Sequence, residues 1–178
     1  WDVSNVTIMN GMFFSCRIFN QDISGWDVSN VTNMGSIFRD AFIFNQPLNN
    51  WDVSNVTNMF AVFYNCRRFN QPLNNWDVSN ATNMSSMFRD DTDFNQDLSN
   101  WDVSNVINMG SMFRDADSYD QNLGTWDLAA ATTVGDLFRN TPGLSTENYD
   151  STLIGWANTG VPTGLVCDFG PSIPSSAG

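Results

Sequence analysis

Tryptophan falls at positions 1, 26, 51, 76, 101 and 126, so the chain repeats itself every 25 residues. An aspartate follows each one, at 2, 27, 52, 77, 102 and 127. Phenylalanine recurs in step at 13, 38, 63, 88, 113 and 138. Methionine holds 9, 34, 59, 84 and 109, with Val134 ending that column. A fixed period of this size marks a solenoid or a propeller. Twenty-five residues are too few for a four-stranded blade but suit one strand and one short helix per coil. A single unit carries too little apolar surface to offset the entropy of ordering it, so neighbouring units must bury their faces on each other.

The third unit reads WDVSNVTNMFAVFYNCRRFNQPLNN from Trp51. Around Trp51 and Val53 apolar and polar residues alternate, which predicts a strand. Met59, Val62 and Phe63 follow at helical spacing, which predicts a short helix or 3-10 turn over about 57–65. With Trp51 and Val53 turned inward, Asn50, Asp52 and Ser54 face outward. Each coil repeats this choice. The predicted sheet face therefore carries Asp27, Asp52, Asp77 and Asp102, the asparagines Asn50, Asn75 and Asn100, and the serines Ser54 and Ser79.

The last unit decays: Ala129, Ala130 and Ala131 replace Ser-Asn-Val, and Leu144 replaces Phe. Ser145 is placed to cap a helix whose first turn contains Glu147. Tyr149, Leu153 and Trp156 share one face of that helix. The expected organisation is six repeats over 1–143, a cap over 144–169 with its helix at about 146–158, and a Pro/Gly/Ser linker over 170–178. With no comparable cap ahead of Trp1, a larger parent polypeptide is expected upstream, and the linker suggests that one continues downstream.

These residues carry a resemblance. The pattern WDVSNVTNM…MF…FNQ(D/P)LSNWDVSNVTNM, covering Trp1 to about Gly143, resembles the repeat of the BspA-like leucine-rich-repeat surface proteins, also found in mycoplasma lipoproteins. LSTENYDSTLIGWA resembles the segment that ends such arrays in surface proteins of the Bacteroidetes. The expected fold is an α/β solenoid: a leucine-rich-repeat-like right-handed coil, with one parallel β-strand plus a short helix or 3-10 turn per repeat and a C-terminal capping helix. The resemblance implies an extracellular, cell-surface protein used in adhesion or ligand capture, and it implies no catalytic residues. Ile107, Tyr119, Asp120 and Ala129–Ala131 depart from the pattern, so the face is less regular there.

Composition narrows the partners. Nineteen acidic residues stand against seven basic ones, all arginine, for a net charge of −12. Such a chain repels nucleic acid and anionic lipid. No stretch of about 18 apolar residues occurs to span a membrane. The sequence contains no histidine, so neither a Ser-His nor a Cys-His pair can form. A periodic carboxylate ladder gives every Asp the same surroundings, unlike the contrasted pair of a glycosidase. An enzyme is not expected.

Six carboxylates one strand spacing apart repel one another, and something should relieve this. One answer is a cation such as Ca²⁺ between neighbours, with Asp52 and Asp77 as the pair. The other is that each Asp accepts hydrogen bonds in its own turn. No other cofactor is implied. The column Asn5, Asn30, Asn55, Asn80 and Asn105 contains four N-x-T sequons but suits a side-chain ladder better. The positions that vary freely run 14–18, 39–43, 64–68, 89–93 and 114–118, and they are the better place to seek specificity. Cys16 and Cys66 lie two coils apart, too far for a disulfide, and are expected to be small buried apolar residues. Cys167 lies in the cap. The function read here is a cell-surface recognition module for a protein or glycan ligand. The alternatives are a spacer in a larger surface protein and, through the column of Thr7, Thr32, Thr57 and Thr82, ice binding.

Overall fold

The computed structural model describes residues 1–162, 164 and 165. Cys167 and the linker expected at 170–178 lie outside the described residues. Six coils, beginning at Trp1, Trp26, Trp51, Trp76, Trp101 and Trp126, are followed by one α-helix, α1 (Thr146–Thr159).

Neighbouring coils are joined in register. In coil 3 the amides of Met59, Ala61, Phe63 and Asn65 donate to the carbonyls of Asn83, Ser85, Met87 and Arg89 in coil 4, at 2.7–3.0 Å. The amide of Thr82 runs the other way, to the Thr57 carbonyl at 2.9 Å. Parallel one-residue bridges link Ile8, Asn33, Asn58, Asn83, Asn108 and Thr133 in sequence.

The local elements differ from those expected. Where a short helix or 3-10 turn is expected over about 57–65, residues 60–65 form turns and Asn58 ahead of them makes a bridge. The amides at 59, 61, 63 and 65 leave for the next coil, while those of Tyr64 and Cys66 turn back to Ala61 and Phe63. That alternation needs left-handed backbone at Ala61 (φ 54°) and Asn65 (φ 55°). Asp and Asn tolerate this conformation better than other non-glycine residues, and they occupy the second position in most coils, as Asp40, Asp90, Asp115 and Asn140. No extended strand forms at Trp51–Val53 either. Asp52 ties the Ser54 amide into a turn, and the Val56 amide closes another onto Val53. The bridging residue is Asn58.

Column packing makes the core. Phe63 and Phe69 stack within coil 3, with ring centres 4.0 Å apart. Phe63 also stacks on Phe38 at 5.7 Å and on Phe88 at 5.5 Å in the coils on either side. Trp51, Trp76, Trp101 and Trp126 each send the indole N–H to the carbonyl three residues ahead of the preceding Trp, as Trp76 does to Leu48 at 2.9 Å. Burying an aromatic ring contributes a few kcal/mol, and satisfying its polar atom removes the cost of burying it. Trp1 is 92% exposed, because no coil precedes it among the described residues.

α1 covers the other end. Ser145 caps it by accepting from the Asn148 amide, and Gly160 ends it in left-handed backbone at φ 88°. Trp156 stacks on Phe138 at 6.4 Å and donates to the Leu123 carbonyl at 2.8 Å.

Candidate functional site

Two strips of side chains run the length of the stack, about half a coil apart. The first is the predicted Asp-Ser-Asn face. Asp52 Oδ1 accepts from the Ser54 amide at 3.1 Å and from its hydroxyl at 2.6 Å. Asp27, Asp77 and Asp102 do the same with Ser29, Ser79 and Ser104. These bonds, the Ser hydroxyl first, hold the carboxyls of Asp27 and Asp102 below the ordinary value. They stabilise the ionised form, so each carboxylate is served inside its own turn.

Asn50, Asp52, Asn75 and Asp77 line one shallow groove together with Asn49, Trp51 and Val53. Asp27, Asp102 and Asn100 continue the same columns outside this groove. Ser54 and Ser79 are turned onto their own aspartates. Among the described residues no group of three or more His, Cys, Asp or Glu side chains is placed to hold a metal ion.

The asparagine columns are engaged in stacking. Asn55 Nδ2 donates to the Ser29 carbonyl at 2.8 Å and Asn80 Nδ2 to the Ser54 carbonyl at 2.8 Å. The sequon nitrogens of these two residues are thus spent on joining coils. Asn45 Oδ1 accepts from the Asn70 amide and from Gln71 Nε2, both at 3.0 Å. The hydroxyls of Thr32, Thr57 and Thr82 donate to the Thr carbonyl one coil earlier, at 3.2 Å.

The second strip is the set of variable positions, and it holds six of the seven arginines. Arg39 lies over the Phe14 ring at 5.5 Å and the Tyr64 ring at 4.6 Å, and Arg89 lies over Tyr64 at 5.3 Å. Arg17 and Arg67 lie over the Phe42 ring at 5.2 and 4.7 Å. Cation and ring alternate along the stack, which fixes long side chains that would otherwise be mobile. Arginines also meet carboxylates: Arg39 with Asp40 at 3.6 Å, Arg89 with Asp90 at 3.5 Å, Arg68 with Asp93 at 3.1 Å, and Arg114 with Asp115 at 3.1 Å and Asp136 at 3.3 Å. Tyr64, Asn65, Arg67, Asp90, Thr92 and Asp115 border a shallow groove that crosses three coils. The signal for this strip lies in the sequence as alternating Arg and aromatic residues 25 apart, at 14, 39, 64 and 89 and at 17, 42 and 67.

The small column at positions 16, 41, 66, 91, 116 and 141 holds two surprises. Cys16 is exposed, not buried as expected, since it sits on the first coil; Cys66 is buried, and both are free thiols. Asp91 is fully buried, and neither of its carboxylate oxygens has a hydrogen-bond partner.

This geometry defines a repeat protein whose coils stack in register and display side-chain columns. The family described as Mycoplasma protein of unknown function, DUF285, matches residues 1–90 and 44–152. The chain belongs to that family. No curated protein and no solved structure matches it.

Proposed function

We propose that the chain is an extracellular recognition module of a cell surface, binding a protein or glycan ligand without catalysis. In this reading it is a right-handed solenoid of the leucine-rich-repeat kind that the repeat resembles. One observation carries the reading: the two strips differ in what they leave over for a ligand. The constant columns spend their polar groups on their own turns and on neighbouring coils. The variable columns present arginines and rings held rigid against each other, and Arg and Tyr are enriched where binding energy concentrates. Asn50, Asp52, Asn75 and Asp77 add a polar face with hydrogen-bonding capacity for a hydroxyl-rich ligand.

Screening the chain against glycans and extracellular matrix proteins tests this. Binding should weaken at least tenfold in Tyr64→Ala and Arg67→Ser, and less in Asp52→Asn with Asp77→Asn. Failure to find a ligand at any concentration would favour the spacer reading. The recognition mechanism needs no metal. A melt that rises with calcium and falls with chelator would assign an ion to Asp52 and Asp77.

A further inference from the structure

Asp91 sits in a column whose other members are Cys16, Ala41, Cys66, Ala116 and Thr141. The polar members of this column that are buried act as donors to the coil before them. Cys66 Sγ donates to the Ala41 carbonyl at 3.2 Å, and Thr141 Oγ1 donates to the Phe113 carbonyl at 2.7 Å. A carboxylate has no proton to give, so an ionised Asp91 cannot take that part. A carboxylic acid can take the donor's part.

The charged neighbours offer an ionised Asp91 no help. The Cys66 thiol faces it from coil 3 and Ala116 from coil 5, while Asp93 lies alongside, already paired with Arg68 at 3.1 Å. Arg89 is engaged with Asp90 at 3.5 Å. Burial first, and then the Asp93 charge, push the Asp91 carboxyl well above the ordinary value. The nearby amides of Asp93 and Phe94 oppose this but make no aligned hydrogen bond to it.

We propose that Asp91 is a proton-operated joint: protonated, it donates to coil 3 and closes the stack there; ionised, it parts coil 3 from coil 4. The joint lies beneath the groove bordered by Tyr64 and Arg67 on coil 3 and by Asp90 and Thr92 on coil 4. Loss of the proton would therefore disassemble that groove, a consequence that rests on the recognition reading, although the joint itself does not. The sign follows from the raised folded-state value. The stabilisation is complete at acid pH, below the ordinary Asp range, and is lost as pH rises through the folded-state value.

Cys66 reports the opening, because it is buried against the joint. With Cys16→Ser and Cys167→Ser, it is the one remaining thiol. Its labelling rate, divided by that of the unfolded chain at the same pH, measures the open fraction. That ratio should rise with pH by up to about tenfold per unit between the ordinary Asp value and the folded-state value, and level off above it. In Asp91→Asn and Asp91→Thr it should be flat. Asp91→Thr installs the donor that Thr141 already uses, so this variant keeps the column intact. Superimposable profiles for Asp91 and either variant, or a flat profile for Asp91 itself, would overturn the joint. A missing ligand alongside the expected Cys66 profile would sink only the recognition reading.

Discussion

The joints between coils and the seat of α1 solve the same problem with different parts. Between coils, Trp101 donates to the Leu73 carbonyl at 3.1 Å, and Trp126 donates to Leu98 at 3.0 Å. The next carbonyl in that series is Leu123, and Trp156 of α1 takes it at 2.8 Å. Between coils, an Asn accepts from the amide 25 residues on, as Asn70 does from Asn95 at 3.0 Å. At the seat Asp120 stands in that column and accepts from the Ser145 amide, the Ser145 hydroxyl and Asn148 Nδ2, at 2.7–2.8 Å. Other coils carry Ser24, Asn49, Asn74 and Ser99 where coil 5 carries Gly124. A Cβ at Gly124 would come within 2.7 Å of the Ser151 carbonyl oxygen. Asp120 and Gly124, which break the repeat in coil 5, are thus fittings for the helix. A capping element need not copy the shape of a coil, only the positions of its donors, acceptors and rings.

Trp156→Ala should break this equivalence most severely. It removes a buried ring, its stack on Phe138 and a donor to Leu123, so a loss of about 3–5 kcal/mol is expected in denaturant unfolding. Trp101→Ala should cost a similar amount if the helix really stands in for a coil. Gly155→Ala comes next and runs against intuition. In an ordinary exposed helix this change stabilises by about 1 kcal/mol. Here the new Cβ would lie 2.2 Å from the Gly124 carbonyl oxygen, backbone against backbone. The helix must lift, and a net loss of about 1–3 kcal/mol is expected. A stabilised Gly155→Ala would show that the cap does not sit on coil 5.

Asp120→Ala separates the two joints by charge. Burial alone would raise the Asp120 carboxyl, but the bonds from Ser145 and Asn148 outweigh it and hold the group below the ordinary value. A depressed folded-state value means the contribution is present at neutral pH and is lost as pH falls through that value, below about pH 4. The substitution should cost about 1–2 kcal/mol near pH 7, through donors left unpaired, and less in acid. Asn95→Ala in the coil-to-coil version should lose a similar amount with no such acid dependence. Chemical denaturation at pH 7 and pH 3 checks both.

Much of this molecule was legible from its periodicity, and the remainder was not for a physical reason. The repeat says which columns face inward: Trp51, Val53, Phe63 and Phe69 are buried, and Asp52 is exposed. Ser145, Glu147 and Trp156 mark the start and buried face of α1. The coil's backbone path was hidden, because Met59, Val62 and Phe63 fit a helix as well as they fit a train of turns. What decides is left-handed backbone at positions 36, 61, 86 and 111, where Ser or Ala stands instead of glycine. There the hydrogen bonds gained from the next coil outweigh a local penalty of roughly 1–2 kcal/mol. For the candidate site, the columns Asp27 to Asp102 could be read, but their engagement by Ser two residues on is a matter of geometry. The burial of Asp91 was hidden because the positions on either side of it, Asp90 and Thr92, belong to the variable strip.

The smallest expected effect tests the columns rather than the cap. Tyr119 occupies the column of Phe44, Phe69 and Phe94, stacked on Phe94 at 6.0 Å and on Phe113 at 4.0 Å. It packs as a phenylalanine would, but its buried hydroxyl has no hydrogen-bond partner. Tyr119→Phe keeps every ring contact and removes a desolvated polar group, so it should stabilise the chain by about 1 kcal/mol. The reverse change one coil earlier, Phe94→Tyr, should destabilise by a comparable or larger amount, because that site lies between complete coils on both sides. If both substitutions proved neutral, water would be reaching the ring column, and coil 5 would be less tightly closed by α1 than the central coils are by one another.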